Sequence, residues 1–165
     1  MSENMGLNMV NVRLVKEKNV LSDRKITGIS DAVEAMKSFL SDFDREVFCI
    51  INLKTDGSVI NMNIVSQGSL ACSVVSPREV FKSSILSNAA SVIAFHNHPS
   101  GNIKPSKEDY DITKRLYECG QLLDIPLVDH IVVGAGNEKV YSFLEHDELG
   151  LNHREVMKKR NEYVR

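Results

Sequence analysis

The sequence predicts a single α/β domain in which a mixed central sheet is flanked by helices, and three observations predict it. Segments with an apolar repeat of three and four residues alternate with short β-branched runs, turn residues separate them, and no internal repeat or low-complexity linker divides the 165 residues. A chain of this length suits one hydrophobic core and is short for two. Hydrophobic residues make up 42% and charged residues 25%, which sets aside disordered and fibrous classes. The formal net charge of −2 gives the domain as a whole no electrostatic signal for nucleic acid. No apolar run approaches the roughly 20 residues that cross a bilayer. The first residues lack the basic and then apolar pattern of a secretory signal, so the expectation is a cytoplasmic protein without a membrane partner. Cys49, Cys72 and Cys119 are odd in number, widely spaced and outside any Cys-x-x-Cys pair, and read as buried free thiols.

Taken in order, residues 7–21 alternate aliphatic and charged side chains (Val10, Val12, Leu14), so residues 1–29 read as an extended arm or edge strand. Ser30 is placed to cap a helix whose Val33, Met36, Phe39 and Leu40 form one apolar stripe. Residues 47–53 are a continuous apolar run, Thr55-Asp56-Gly57-Ser58 supplies a turn, and Ile60, Met62 and Ile64 alternate with polar neighbours, which together make a hairpin. Ser76-Pro77-Arg78-Glu79 combines a cap, a first-turn proline and a third-position glutamate. A helix is therefore expected from Pro77 to near Asn88, with Val80, Phe81, Ile85 and Leu86 inward. A short buried strand over 91–95 delivers His96-Asn97-His98, and Pro99-Ser100-Gly101-Asn102 breaks it. Ser106-Lys107-Glu108-Asp109 opens a helix with Ile112, Leu116, Cys119, Leu122 and Leu123 on its apolar side. Strands are expected over 127–133 and 140–143, with Gly134-Ala135-Gly136-Asn137 between them; beyond Asn152 the chain is charged and helical.

Side chains two apart on a strand share a face, so His96 and His98 offer two imidazoles to one ion while Asn97 points away. A tetrahedral catalytic zinc takes three protein ligands and leaves a position open, and Asp109, brought back by the turn and the helix start, supplies a third. A competing reading exists for each residue. A lone His-x-His is also two polar residues at a strand end. Ser106 and Asp109 form a Ser-x-x-Asp capping box, and a carboxylate that caps a helix is in competition with one that binds metal. His130 follows Asp129, where a hydrogen-bonded structural pair is the plainer reading than a fourth ligand. His146 and His153 stand in polar surroundings and are expected on the surface.

The whole pattern, His96-x-His98, seven residues, Ser106, two residues and Asp109, resembles the JAMM motif of the JAB/MPN metalloprotease fold. His96-Asn97-His98-Pro99-Ser100-Gly101, Pro105-Ser106, Asp129-His130 and Val75-Ser76-Pro77-Arg78-Glu79-Val80-Phe81 are similar more narrowly to the RadC family, over roughly residues 47–144. The resemblance implies a JAB/MPN, cytidine-deaminase-like architecture over residues 30–146, with residues 147–165 as a charged tail. It also implies an upstream glutamate, which falls on Glu46 in Arg45-Glu46-Val47-Phe48, where a surface charge at a strand start is the alternative. Glu46 would be the general acid and base beside Zn2+, and Ser106 an oxyanion donor or simply a cap.

The function expected on these grounds is a zinc metallopeptidase or isopeptidase-like hydrolase acting on an amide bond of an unidentified peptide or protein. A DNA-repair association is the traditional label of the RadC family and the second reading. Its members commonly carry an amino-terminal helix-hairpin-helix-like region, for which little chain stands before the domain, but Arg154, Lys158, Lys159 and Arg160 in the tail could touch phosphates in a salt-sensitive way. A scaffold that retains the fold without turnover is the third. A zinc deaminase is excluded, because His96-Asn97-His98 lacks the glutamate of His-x-Glu and no Cys-x-x-Cys follows.

Overall fold

The computed structural model describes residues 11, 13–17, 29–68, 75–136, 139–152, 154–156 and 158. Among them the elements run α1 (Ile29–Ser41), β1 (Val47–Leu53), β2 (Val59–Gln67), α2 (Pro77–Leu86), β3 (Ser91–His98), α3 (Lys107–Leu122), β4 (Leu127–Gly134) and β5 (Val140–Ser142). The strands form one sheet in the order β2-β1-β3-β4-β5. It is mixed: β3 and β4 are parallel and the other pairs antiparallel. A parallel pair needs a crossover, and α3 supplies it between β3 and β4.

Period-two alternation divides the sheet residues between two cores. Cys49, Ile51, Leu53, Ile93, Phe95, Ile131 and Val133 face α1, where Ala32, Met36 and Leu40 cover them. Phe48, Ile50, Val92, Ala94 and Leu127 face α2 and α3, represented by Val80, Phe81 and Leu116. Because helices cover both faces, β1 is buried at all seven positions, which explains its unbroken apolar sequence. A third cluster joins Tyr110, Val132, Tyr141, Phe143 and Val156, and there the Tyr110 and Tyr141 hydroxyls both donate to the buried Glu148 carboxylate.

The hairpin forms where expected, with Gly57 at φ 79° and Asp56 Oδ1 accepting from Ser58 N at 2.9 Å. Register shifts after Phe48 and Asn52 interrupt the alternation on β2. Val59 and Met62 consequently pack toward α1, Ile60 and Val65 toward α2, and Ile64 is exposed.

Several sequence expectations are corrected. α1 begins at Ile29, so Ser30 lies inside its first turn and not at its cap. Ser76 is the cap position of α2, but its side chain makes no capping bond and Glu79 turns to Lys82 instead, at 2.6 Å. Ile85 and Leu86 are exposed, because the inward face of α2 near its end is polar: Ser83 meets the buried Asn52 amide of β1. Leu122 and Leu123 are exposed as well. At the end of α3 the inward position belongs to Gly120, where a Cβ would stand 2.7 Å from the carbonyl oxygen of Ile125. β3 continues through His98 because β4 pairs with it that far along, His98 opposite Gly134.

Cys49 is a buried free thiol and Cys119 a half-buried one; Cys72 lies outside the described residues. In the arm, Asn11 and 13–17 have no regular secondary structure, and Val10 and Val12 lie outside the described residues. After Asn152, residues 154–156 and 158 are helical, with reciprocal capping bonds between Asn152 and Glu155. No helix among the described residues is long and apolar enough to cross a membrane.

Candidate metal centre

The carboxyl end of β3 and the amino end of α3 meet beside one another, the usual place for a site in an open α/β sheet. His96 and His98 project from one face of β3, as the two-residue spacing requires. Their Nε2 atoms are 3.0 Å apart. Asp109, in the first turn of α3, brings Oδ1 to 3.1 Å from His96 Nε2 and Oδ2 to 3.4 Å from His98 Nε2. Four tetrahedral bonds of about 2.0–2.1 Å give ligand-to-ligand edges of about 3.3–3.4 Å, so the three side chains fit the donor set of a zinc site.

The hydrogen bonds around these atoms give an independent reason for a cation. His98 Nδ1 lies 2.6 Å from the carbonyl oxygen of Asn102, which can only accept, so Nδ1 carries the hydrogen and, in the neutral ring, Nε2 presents a lone pair. Asp109 adds a carboxylate. Burial works against charge on His98, but hydrogen bonds with Asp109 and Asn102 and the charges of Asp109 and Glu46 outweigh it, so its pKa is raised. Burial likewise opposes ionisation of Asp109, yet its bonds with His96, His98 and Ser106 prevail and hold its pKa far below the carboxylate range. A cluster of acceptors this close needs a cation among them, a proton or a metal ion.

Capping does not occupy the whole of the Asp109 carboxylate, because a carboxylate has two oxygens. Oδ2 accepts from Ser106 N and Ser106 Oγ, each at 2.7 Å, and Ser106 Oγ accepts from Asp109 N at 3.2 Å, which completes the capping box. Oδ1 remains directed at His96. The cap therefore orients the carboxylate toward His96.

Glu46 stands immediately before β1 and is half-buried. Its charge is among the influences that raise the pKa of His98. Asn97 does point away from His96 and His98, and its place has a consequence that spacing alone did not reveal. It is fully buried; its Oδ1 accepts from Val47 N at 2.7 Å, and its Nδ2 donates to the carbonyl oxygens of Arg45 at 3.0 Å and Phe43 at 3.4 Å. One carboxamide thus holds the peptide groups on both sides of Glu46.

His130 forms part of the expected structural pair, since Asp129 Oδ1 accepts from His130 N at 2.7 Å. Asp129 also receives Ser142 Oγ and Leu144 N, and burial raises its pKa against those bonds. The His130 ring goes elsewhere: Nε2 lies 2.8 Å from His96 Nδ1. It is wholly buried, which drives its pKa well below the ordinary histidine value and keeps it neutral. Thr113, unremarked in the sequence, joins the same group through His130 Nδ1 at 2.6 Å, and its spacing of four from Asp109 along α3 was the available signal. His146 is exposed, stacked on Tyr141; His153 lies outside the described residues.

A model of the RadC-like JAB domain matches residues 26–150. The chain is 46% identical over 125 residues to a UPF0758 protein of Clostridium acetobutylicum, covering 76% of this chain and 53% of that protein. It is 42% identical over 127 residues to a UPF0758 protein of Staphylococcus haemolyticus, covering 77% and 55%. With a UPF0758 protein of Methanosarcina mazei the identity is 43% over 113 residues, covering 68% and 49%. The chain spans about half the length of the curated relatives it matches. With the matched region taking in every element from α1 to β5 and all three ligand candidates, the chain belongs to the RadC-like JAB domain family.

Proposed function

We propose that this domain is a zinc-dependent hydrolase of the metallopeptidase or isopeptidase type. The observation that carries the reading is the convergence of His96 Nε2, His98 Nε2 and the Asp109 carboxylate at separations of 3.0–3.4 Å. His96, His98 and Asp109 would hold the ion. When bound, zinc supplies Lewis acidity toward a water molecule and a substrate carbonyl.

The remaining steps belong to side chains. Glu46 accepts the proton of the attacking water and returns it to the departing amine, the two halves of general acid–base catalysis. Asn97 keeps Glu46 in place by bonding Arg45 O and Val47 N. Ser106 donates its hydroxyl proton to Asp109 Oδ2, and an oxyanion role for it requires that proton to turn from the carboxylate to the substrate oxygen.

The test combines metal analysis of the purified protein with an unbiased peptide-cleavage screen, repeated with Glu46→Gln. Expected are one zinc per chain in both proteins and turnover lowered at least about a hundredfold in the variant. Undiminished turnover in Glu46→Gln would move the base to another residue.

A further inference from the structure

Behind the ligands, a continuous line of buried polar atoms runs from one of them to the other. His96 Nδ1 lies 2.8 Å from His130 Nε2, and His130 Nδ1 lies 2.6 Å from Thr113 Oγ1. Thr113 Oγ1 lies 2.5 Å from the carbonyl oxygen of Asp109. His96, His130 and Thr113 are all 0% exposed. The His130 ring is fixed between Phe143, stacked at 5.1 Å between centroids, and Phe48 at 5.3 Å.

The direction of each bond follows from its far end. A backbone carbonyl has no proton, so the single hydroxyl proton of Thr113 goes to Asp109 O, and Oγ1 meets His130 Nδ1 as an acceptor. His130 Nδ1 therefore carries a hydrogen. The neutral ring then has its lone pair on Nε2, so the hydrogen between the two histidines is carried by His96 Nδ1. His96 is left with its lone pair on Nε2, the atom that faces His98 and Asp109.

We propose that Thr113 and His130 are positioning residues that lock His96 in the tautomer able to bind a metal ion, with the polarity set by the backbone carbonyl of Asp109. This rests on the reading of the three side chains as a metal site. A side chain on α3 and another on β4 thus determine which nitrogen of a β3 histidine is available, and the same carbonyl ties that choice to the helix carrying Asp109. Outer partners of this kind typically change metal affinity about 10–100-fold when removed.

The test uses the full chain and zinc alone, titrated against a chromophoric chelator. Thr113→Val keeps the shape of the side chain and removes its hydroxyl; Thr113→Ser keeps the hydroxyl. Zinc affinity should fall about tenfold or more in Thr113→Val and return close to wild type in Thr113→Ser. Should Thr113→Val only lower the melting temperature of the metal-free protein and leave zinc affinity unchanged, Thr113 is a packing residue and the proposal fails. Nitrogen-15 spectra of the metal-free wild type at alkaline pH give a second readout that needs neither variant folding nor zinc binding. Hydrogens on Nδ1 of both His96 and His130 are expected, and a hydrogen on Nε2 of His130 overturns the inference. Failure of the wild type to bind zinc would refute the metal site while the nitrogen spectra still decide the tautomer.

Discussion

Replacing Asn97 with alanine tests how the segment carrying Glu46 is held. The loss can be worked from its two shorter bonds. Val47 N is buried on a residue with 0% exposure, and its partner Asn97 Oδ1, at 2.7 Å, would vanish, leaving an unsatisfied N–H worth about 1–3 kcal/mol. The carbonyl of Arg45 belongs to an exposed residue and can turn to water, so its bond at 3.0 Å contributes little to the penalty. Removing a fully buried carboxamide also leaves a small void, which costs about 1 kcal/mol. The total is about 3 kcal/mol, and for a domain of this size each kcal/mol lowers the melting temperature by about 2–4 °C. Metal-free Asn97→Ala should therefore melt about 6–12 °C below wild type by circular dichroism or calorimetry. Asn97→Asp keeps the acceptor for Val47 N but sets a second acceptor against two carbonyls, and it should destabilise comparably at neutral pH. Because His96 and His98 remain on β3, both variants should still take up one zinc ion. Melting temperatures within about 2 °C of wild type for both variants would refute the clamp.

Four further outcomes are expected. His96→Ala, His98→Ala and Asp109→Ala should each lose zinc in metal analysis, since each removes one of three protein ligands; full zinc content in Asp109→Ala would leave that residue only as a helix cap. Asp109→Ala should also lower metal-free stability by about 1 kcal/mol, because Ser106 N and Oγ lose the carboxylate that accepts from them while the bond from N of residue 109 to Ser106 Oγ stays. Asp129 has a raised folded pKa, so the native state holds more protons than the unfolded chain between that value and the ordinary 3.8, and stability gains from acidification across this window. The difference in unfolding free energy between wild type and Asp129→Asn should accordingly shift in favour of wild type as pH falls through the window; a constant difference would contradict the buried charge. Neutralising Arg154, Lys158, Lys159 and Arg160 should leave amide cleavage nearly intact and abolish any salt-sensitive binding to DNA, whereas tight binding that survives high salt would require a nucleic-acid enzyme.

The sequence by itself determined much that depends on short separations, although neither Ser30 nor the Ser76 side chain caps its helix. Two histidines two apart on a strand must share a face, Ser106 and Asp109 three apart at a helix start must be able to cap it, and the apolar run of β1 must be covered on both sides. The hairpin at Gly57 follows from the same local rules. Tertiary structure decided what depends on which strands become neighbours and how helices rotate against them. The parallel pairing of β3 with β4 sets His130 beside Ala94, close enough for its ring to reach His96, although 34 residues separate the two histidines. Antiparallel pairing with β1 lets Asn97 hold the chain around Glu46. Periodicity placed Ile85 and Leu122 inward because it counts apolar residues, whereas packing gave those inward faces to Ser83 beside Asn52 and to Gly120 against Ile125. For Asp109 the sequence offered capping and ligation as rivals; only the orientation of the carboxylate in space, one oxygen toward Ser106 and the other toward His96, allows both.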